Sequence, residues 1–203
     1  LADIFRQLEE MGADNINLVN PTHYLSHIAE AFALYRPHIP VVYNTHGYEK
    51  IESLELAATF TDIWLPDLKF VDGRMAARYT ARPDYAEYAL PAIRYMAQKR
   101  ATFSAEGKML TGCVVRHLIM PMGVEDSIAA VNFVATLPKD VYFSLMSQYT
   151  PCGDISGLPE LQRGITVREY KKVLAAVEAA GLENVFLQDR SSASGSFIPE
   201  WDY

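Results

Sequence analysis

The sequence predicts an α/β fold in which a parallel sheet is rolled into a complete or incomplete β/α barrel. Short apolar segments rich in Val, Ile and Leu alternate along the chain with segments of helical periodicity. Parallel neighbours need a crossover, which an intervening helix supplies. No Gly-x-Gly-x-x-Gly follows a strand, which disfavours a dinucleotide-binding fold. No repeat or linker divides the chain, so we expect a single domain over residues 1–203.

Composition excludes several classes of protein. Half of the 203 residues are apolar and 21% are charged, which is ordinary for a globular domain. No apolar run approaches the ~20 residues of a membrane span, and no signal peptide opens the chain. A net charge of −7 argues against phosphate-neutralising nucleic-acid binding. The two cysteines, Cys113 and Cys152, cannot build a disulfide framework, so we expect a reducing, cytoplasmic setting.

The first half of the chain predicts three helices and three strands. Ile4, Leu8 and Met11 repeat at spacings of four and three, and Gly12 follows as a helix C-cap. The apolar segments beyond it are short and bounded by Asn, Pro and Gly, as strands are. We therefore expect helices over residues 1–11, 24–35 and 49–60, and strands over residues 15–19, 41–43 and 63–65.

The second half continues the alternation after a longer insertion. Tyr85 opens a helical stripe, and Pro91 inside it predicts a kink or a late start. Thr166 and Glu169 form a capping box at the start of the last helix. We expect helices over residues 85–98, 127–137 and 166–180, and strands over residues 114–120, 141–146 and 185–187.

The chain begins inside a helical pattern. No Ser, Thr, Asp or Asn precedes Leu1 to cap that helix. We therefore expect a C-terminal fragment of a barrel that lacks its N-terminal βα unit. Such a fragment would expose a sheet edge and part of the apolar barrel interior, which predicts self-association or marginal stability.

Polar side chains collect where the predicted strands end, which is the active-site end of a β/α barrel. Arg116 and His117 lie within a strand, so alternation turns one of them inward. An inward charge needs a partner, such as Asp67 or a bound anion. With Lys69 nearby, this set suits a zwitterionic small molecule: its carboxylate would bind Lys69 or Arg116, and its ammonium would bind Asp67 or a carbonyl.

Each of these residues also has an ordinary structural interpretation. Asp67 is equally consistent with a turn cap, and a loop lysine such as Lys69 is usually solvated. His23 and His27 are spaced i, i+4 but lack the Glu of a metalloprotease motif, so no metal site is predicted. Ser144 lacks a Gly-x-Ser-x-Gly elbow, which weakens a hydrolase hypothesis.

Five segments stand in a recognisable order along the chain: Asn15–Tyr24, Val42–Tyr48, Asp62–Lys69, Val115–Pro121 and Ser144–Tyr149. Together they resemble one known family, the radical S-adenosylmethionine (SAM) proteins, and within it the homologues of pyruvate formate-lyase activating enzyme. The resemblance covers nearly the whole chain and is strongest for the subgroup of uncharacterised homologues.

The resemblance implies an enzyme with a partial (β/α)6 TIM-type barrel, a [4Fe-4S] cluster and bound SAM. In that family, reductive cleavage of SAM gives a 5′-deoxyadenosyl radical. In a true activase the radical takes hydrogen from a glycine of a partner glycyl-radical enzyme. A protein or other substrate and a reducing electron donor are therefore the implied partners, with no nucleic acid and no membrane.

The resemblance also implies a set of SAM-binding residues. Residues 20–23 stand where the family usually has Gly-Gly-Glu-Pro, and Asn44 stands where the activase has Asp, so two carboxylates are lost. The implied SAM-binding residues are Asn20, Thr22, His23, Asn44, Thr45, Asp67, Lys69, Arg116 and Tyr149.

The Cys-x-x-x-Cys-x-x-Cys loop of the family is absent from this chain. Three thiolates must converge on the cluster, and two distant cysteines cannot replace them. We expect the [4Fe-4S] cluster only in a full-length protein, and neither metal ligands nor catalytic residues in this fragment, which is therefore expected to be inactive on its own.

Two other functions stay open. A non-redox barrel lyase or aldolase would use Lys69 as a Schiff-base amine, which requires a desolvated pocket. A non-catalytic barrel would instead bind a peptide or another partner.

Overall fold

The computed structural model describes residues 1–187, which form an open, mainly parallel sheet with helices packed on one face. The strand order is β1-β2-β3-β5-β6-β7, and β4 pairs antiparallel with β5. The predicted α/β class is confirmed, and the unclosed sheet is consistent with a partial barrel. The strands are β1 (Ile16–Val19), β2 (Val41–Thr45), β3 (Ile63–Pro66), β4 (Thr102–Phe103), β5 (Met109–Leu118), β6 (Tyr142–Met146) and β7 (Val185–Leu187).

Except for the first helix, which precedes β1, the helices lie in crossovers between successive parallel strands. Short 3-10 turns cover Pro21–Tyr24 and Pro159–Leu161. Within residues 1–187, no helix combines the length and the apolar character that crossing a bilayer requires. The α-helices are α1 (Ala2–Glu10), α2 (Leu25–Leu34), α3 (Ile51–Ala57), α4 (Gly73–Thr80), α5 (Tyr85–Met96), α6 (Val124–Val134) and α7 (Val167–Ala179).

Alternation along the strands gives the sheet two different faces. Tyr43, Cys113 and Phe143 lie on the helix-covered face, where each is at most 1% exposed. The opposite face, here called the open face, carries Asn44 and Arg116, which are only half-buried. Parallel partners share a face, and the register places Arg116 beside Ser144 of β6. The core therefore lies between sheet and helices, and the open face is available to a ligand.

The structure corrects several predicted boundaries. Helix α4 and strand β4 were not predicted: α4 is a short, mainly polar helix that opens with Gly73, and Ala76 is its one buried residue. Helix α5 begins at Tyr85 and runs through Pro91, so a late start is wrong. Helix α6 begins at Val124, three residues earlier than predicted, because the helix continues into an acidic first turn.

Thr166 caps α7 as predicted. Its side chain accepts the backbone N–H of Glu169, and the Glu169 carboxylate accepts the backbone N–H of Thr166. We expect Thr166→Ala to lower the free energy of unfolding by about 1 kcal/mol, because one donor in the first turn loses its acceptor. Urea titration checks this, with Thr166→Ser as the matched control. Equal losses in the two variants would contradict the role of the hydroxyl.

Candidate functional site

Three neighbouring strands bring Asn44, Asp67 and Arg116 together on the open face. Arg116 Nη2 donates to Asn44 Oδ1 at 2.6 Å and lies 2.8 Å from Asp67 Oδ1. Asp67 and Arg116 also face each other in a parallel bridge, which extends the pairing of β3 with β5. Arg116 thus has the partner predicted for it, and Asn44 is a second acceptor for the same guanidinium.

Lys69 completes this group from the loop after β3. Its Nζ lies 3.0 Å from Asp67 Oδ2, so the two oxygens of that carboxylate each bind a different cation. We call Asn44, Asp67, Lys69 and Arg116 the polar base. With two cations and one carboxylate it carries a net charge of +1. Arg116 Nε is buried without a hydrogen-bond partner, so one donor of the polar base is unused within the protein.

His117, the neighbour of Arg116, fixes the loop that carries Asp67 and Lys69. Its side chain is 1% exposed, with Nδ1 2.6 Å from the Leu68 carbonyl and Nε2 2.9 Å from Ser127 Oγ. A carbonyl only accepts, so Nδ1 carries the proton and Nε2 accepts from the serine hydroxyl. Burial lowers the pKa of His117, which keeps the ring neutral. The imidazole therefore ties β5 to the loop after β3 and to α6.

Tyr85 of α5 holds the same loop from the other side. Its hydroxyl lies 2.8 Å from the carbonyl oxygens of both His46 and Asp67, and it accepts the Lys69 N–H at 3.0 Å. Burial raises the pKa of Tyr85, so the hydroxyl keeps its proton. Gly47 permits this close approach: its φ is +83°, and a Cβ there would lie 2.2 Å from the Asp67 carbonyl oxygen.

Thr22 and Thr45 bind within a separate buried network. Thr45 is 1% exposed and follows Asn44 on β2, so its side chain projects to the other face. Its hydroxyl donates to Glu49 Oε1 at 2.5 Å, and the Thr22 hydroxyl donates to the same atom at 2.6 Å. Tyr43 Oη lies 3.1 Å from Thr22 Oγ1. Thr45 does not reach the polar base, whereas Thr22 lines a cavity that Lys69 also lines. The role of both threonines in SAM binding stays a prediction.

Asn20 and His23 lie beside the polar base. Asn20 has the left-handed φ of +46°, its N–H donates to the Asn44 carbonyl at 2.7 Å, and its Oδ1 accepts the His46 N–H at 3.1 Å. It therefore connects the ends of β1 and β2. His23 is exposed and lines a second cavity of about 530 Å³, which also includes His46 and Lys69. Their contact with SAM stays a prediction.

A cavity of about 660 Å³ opens above the polar base. Asp67, Lys69 and Arg116 line one end of it. Thr80 and Asp154 also line the cavity. The apolar part of the remaining wall, which we call the apolar compartment, combines side chains from the ends of β5 and β6, from the loop after β3, from α4 and from residues 150–161. The apolar compartment consists of Phe70, Tyr79, Leu118, Met120, Met146, Tyr149, Ile155, Leu158 and Leu161.

Glu160 ties two walls of this cavity together. Its Oε1 accepts from Arg78 Nε at 2.6 Å and from the Tyr79 hydroxyl at 3.0 Å. On the inner side, the Tyr149 hydroxyl donates to the Leu161 carbonyl at 2.9 Å. Residues 150–161 are thus held both to α4 and to the end of β6.

The hydrogen bond between Arg78 and Glu160 has a measurable effect at acid pH. The Arg78 hydrogen bond lowers the pKa of Glu160 from 4.5 to about 2. A carboxyl whose pKa is depressed on folding stabilises the fold fully above its unfolded pKa, and that contribution is lost as the pH falls through about 2. We expect Arg78→Gln to return the pKa of Glu160 toward 4.5, measured by carbon NMR of the carboxyl. An unchanged titration would contradict the pairing.

The cysteines do not fit an iron–sulfur cluster. Cys113 is 0% exposed on the helix-covered face of β5, and burial raises the pKa of its thiol, which disfavours the thiolate that a metal needs. Cys152 is exposed. Across residues 1–187, no three His, Cys, Asp or Glu side chains are grouped to hold a metal ion.

The structure gives no support to Lys69 as a Schiff-base amine. Such an amine reacts only after losing its proton, which a desolvated pocket favours and a neighbouring carboxylate opposes. The Lys69 side chain is 43% exposed, and its ammonium pairs with a carboxylate.

Sequence reasoning missed Glu49, Tyr85 and the apolar compartment. Glu49 is 3% exposed although it belongs to an ordinary-looking polar segment. Tyr85 was placed on a helix stripe, and its hydroxyl reaches residues 16 to 39 positions earlier in the chain. The one available signal for Glu49 was its position directly after a strand end rich in polar residues.

Comparison with known proteins supports the fold. No protein-family model matches the chain. It is 24% identical over 175 residues to an uncharacterised protein of Methanocaldococcus jannaschii, covering 85% of this chain and 48% of that protein. The chain therefore spans about half the length of the curated relative it matches. It also resembles a crystallised domain of a pyruvate-formate lyase-activating enzyme from Bacteroides vulgatus: TM-score 0.59, 15% identity, 86% of this chain and 98% of that one.

Proposed function

We propose that this chain is the SAM-binding part of a radical SAM protein related to pyruvate formate-lyase activating enzymes. One observation carries the proposal: the polar base stands at the ends of three adjacent strands on the open face, at one end of a cavity of about 660 Å³. The ordered sequence motifs and the structural likeness to an activating-enzyme domain support the choice of family. Asn20, Thr22, His23, Thr45 and Tyr149 are further SAM-binding residues in this proposal.

The polar base matches the charges of the methionyl group of SAM. The half-buried guanidinium of Arg116, which lines the cavity, and the spare donors of Lys69 are suited to its carboxylate. Its ammonium needs acceptors, which Asp67 and the side-chain oxygen of Asn44 provide. The net charge of +1 favours the carboxylate as the group bound first.

Bound SAM would supply a carbon–sulfur bond that one electron can cleave. This chain's residues bind and orient the methionyl group and shield that end of the cavity. They do not fit an iron–sulfur cluster, so we assign no electron transfer to them. A reducing electron donor, and a glycyl-radical enzyme or another protein as hydrogen donor, belong to our proposal for a whole enzyme.

Calorimetric titration of the chain with SAM tests the proposal. We expect SAM to bind saturably. 5′-Methylthioadenosine lacks the methionyl carboxylate and ammonium, so it should bind about tenfold more weakly or worse. Failure to bind SAM, or equal affinity for the two compounds, would overturn the assignment of the polar base.

A further inference from the structure

We propose that the apolar compartment binds a bulky apolar group of a second substrate, the molecule from which hydrogen would be taken. This inference rests on the proposed function, since it assumes that SAM occupies the polar base. It names the class of that substrate: a peptide or small molecule that presents an aliphatic or aromatic group, rather than a segment with a bare glycine at this position.

The first argument is the division of the cavity. Two cations and a carboxylate lie at one end, while Phe70, Met146 and Leu158 belong to a wall of aliphatic, aromatic and thioether groups. Besides its tyrosine hydroxyls, that wall holds two polar side chains, Thr80 and Asp154. A cavity of about 660 Å³ falls in the ordinary range for small-molecule sites, which are mostly apolar with few polar groups. A ligand bound in the apolar compartment would have its apolar surface buried away from water, and this burial is the source of the affinity.

The second argument concerns the two tyrosines of the wall. The Tyr79 hydroxyl donates to Glu160, and the Tyr149 hydroxyl donates to the Leu161 carbonyl. Both hydroxyl protons are therefore used within the wall, and the rings are the parts left to contact a ligand. Tyr79 also packs against Phe70, with ring centroids 5.9 Å apart. Aromatic faces of this kind favour an apolar ligand over one that needs hydrogen bonds.

The third argument is that the wall is formed in advance. Backbone hydrogen bonds from Leu158 to the Ile155 carbonyl and from Leu161 to the Leu158 carbonyl fold residues 155–161 into consecutive turns. Glu160 and Tyr149 then attach these turns to two different elements. A preformed compartment binds without first ordering its own side chains, which reduces the entropic cost of binding.

A matched pair of probes tests the inference: N-acetylphenylalanine methylamide and N-acetylglycine methylamide, which differ only by a benzyl group. The chain is labelled with carbon-13 at its methionine methyls, because Met120 and Met146 line the compartment. With SAM present, we expect the phenylalanine probe to shift these two signals with a dissociation constant in the millimolar range, and the glycine probe to shift neither at equal concentration.

Leu158→Glu places a carboxylate in the apolar compartment and should weaken binding of the phenylalanine probe about tenfold or more. Leu158→Ala, which only removes apolar surface, should weaken it by a smaller factor. The control is Val167→Glu, because Val167 is 51% exposed in the first turn of α7, where an acid is tolerated. We expect the control to bind the probe as the wild type does.

Three results would overturn the inference: equal shifts by the two probes, unchanged binding in Leu158→Glu, or displacement of the phenylalanine probe by SAM. The last would mean that SAM itself fills the compartment. None of these contradicts SAM binding at the polar base. Failure of the proposed function has a different signature, because SAM alone would then cause no saturable change in the methionine spectrum or in calorimetry.

Discussion

Arg116→Ala should weaken SAM binding about 30-fold or more, which corresponds to about 2 kcal/mol. The substitution removes the donor to Asn44 Oδ1, the partner of Asp67 Oδ1 and a guanidinium charge on the cavity wall that attracts a carboxylate. Arg116→Lys keeps the charge but not the planar fork, and we expect it to recover only part of the affinity. Calorimetric titration with SAM measures all three proteins.

The effect of Arg116→Ala on stability should be much smaller than its effect on binding. Arg116 is half-buried, and Asp67 keeps its second cation, Lys69, in the variant. We expect the free energy of unfolding to change by about 1 kcal/mol or less. Arg168→Ala serves as the control, since Arg168 is exposed on α7. SAM affinity equal to that of the wild type in Arg116→Ala would show that the polar base is not the binding site.

His117→Ala should lower the free energy of unfolding by about 3 kcal/mol. The substitution opens a cavity at a side chain that is 1% exposed, and it leaves the Leu68 carbonyl and the Ser127 hydroxyl without their partner. His117→Asn can still donate to the carbonyl and should lose about half as much. The control His27→Ala removes an exposed histidine of α2 and should change stability by less than about 0.5 kcal/mol. Equal effects of His117→Ala and His27→Ala on urea unfolding would contradict the structural role of His117.

The same histidine predicts a dependence of stability on pH. Burial lowers the pKa of His117 below its ordinary 6.5, so the unfolded chain takes up the proton first. Its contribution to stability is complete above pH 6.5 and is lost as the pH falls below that value. The slope approaches about 1.4 kcal/mol per pH unit. Urea titrations between pH 7 and 5 should show this slope in the wild type and its loss in His117→Asn; parallel curves would contradict it.

The sequence allowed the central ion pair to be predicted because strand alternation is a local rule. A charged residue within an apolar strand needs a partner, and the strand ends of a parallel sheet meet at one edge, so Asp67 was the natural partner for Arg116. The same rule separates Asn44 from Thr45: neighbouring residues on β2 project to opposite faces, and only Asn44 reaches the open face.

The rest of the site depends on contacts between distant parts of the chain. Tyr85 holds the loop that carries Lys69, which lies 16 residues earlier in the chain. Glu160 binds Arg78, which lies 82 residues earlier. Nothing in the local pattern of α4 or of residues 150–161 indicates that the two meet over a cavity. Apolar residues in a segment without periodicity indicate that the segment packs against another part of the protein, but they do not identify that part.

The Arg116 Nε–H signal tests the central claim most directly. In a chain labelled with nitrogen-15 arginine, the signal is assigned by its loss in Arg116→Lys, and SAM and 5′-methylthioadenosine are then added in turn. Because this buried donor has no partner in the free protein, a bound carboxylate should move its signal. The account predicts a saturable shift with SAM and none with 5′-methylthioadenosine. A signal that stays in place while SAM binds elsewhere would contradict the account.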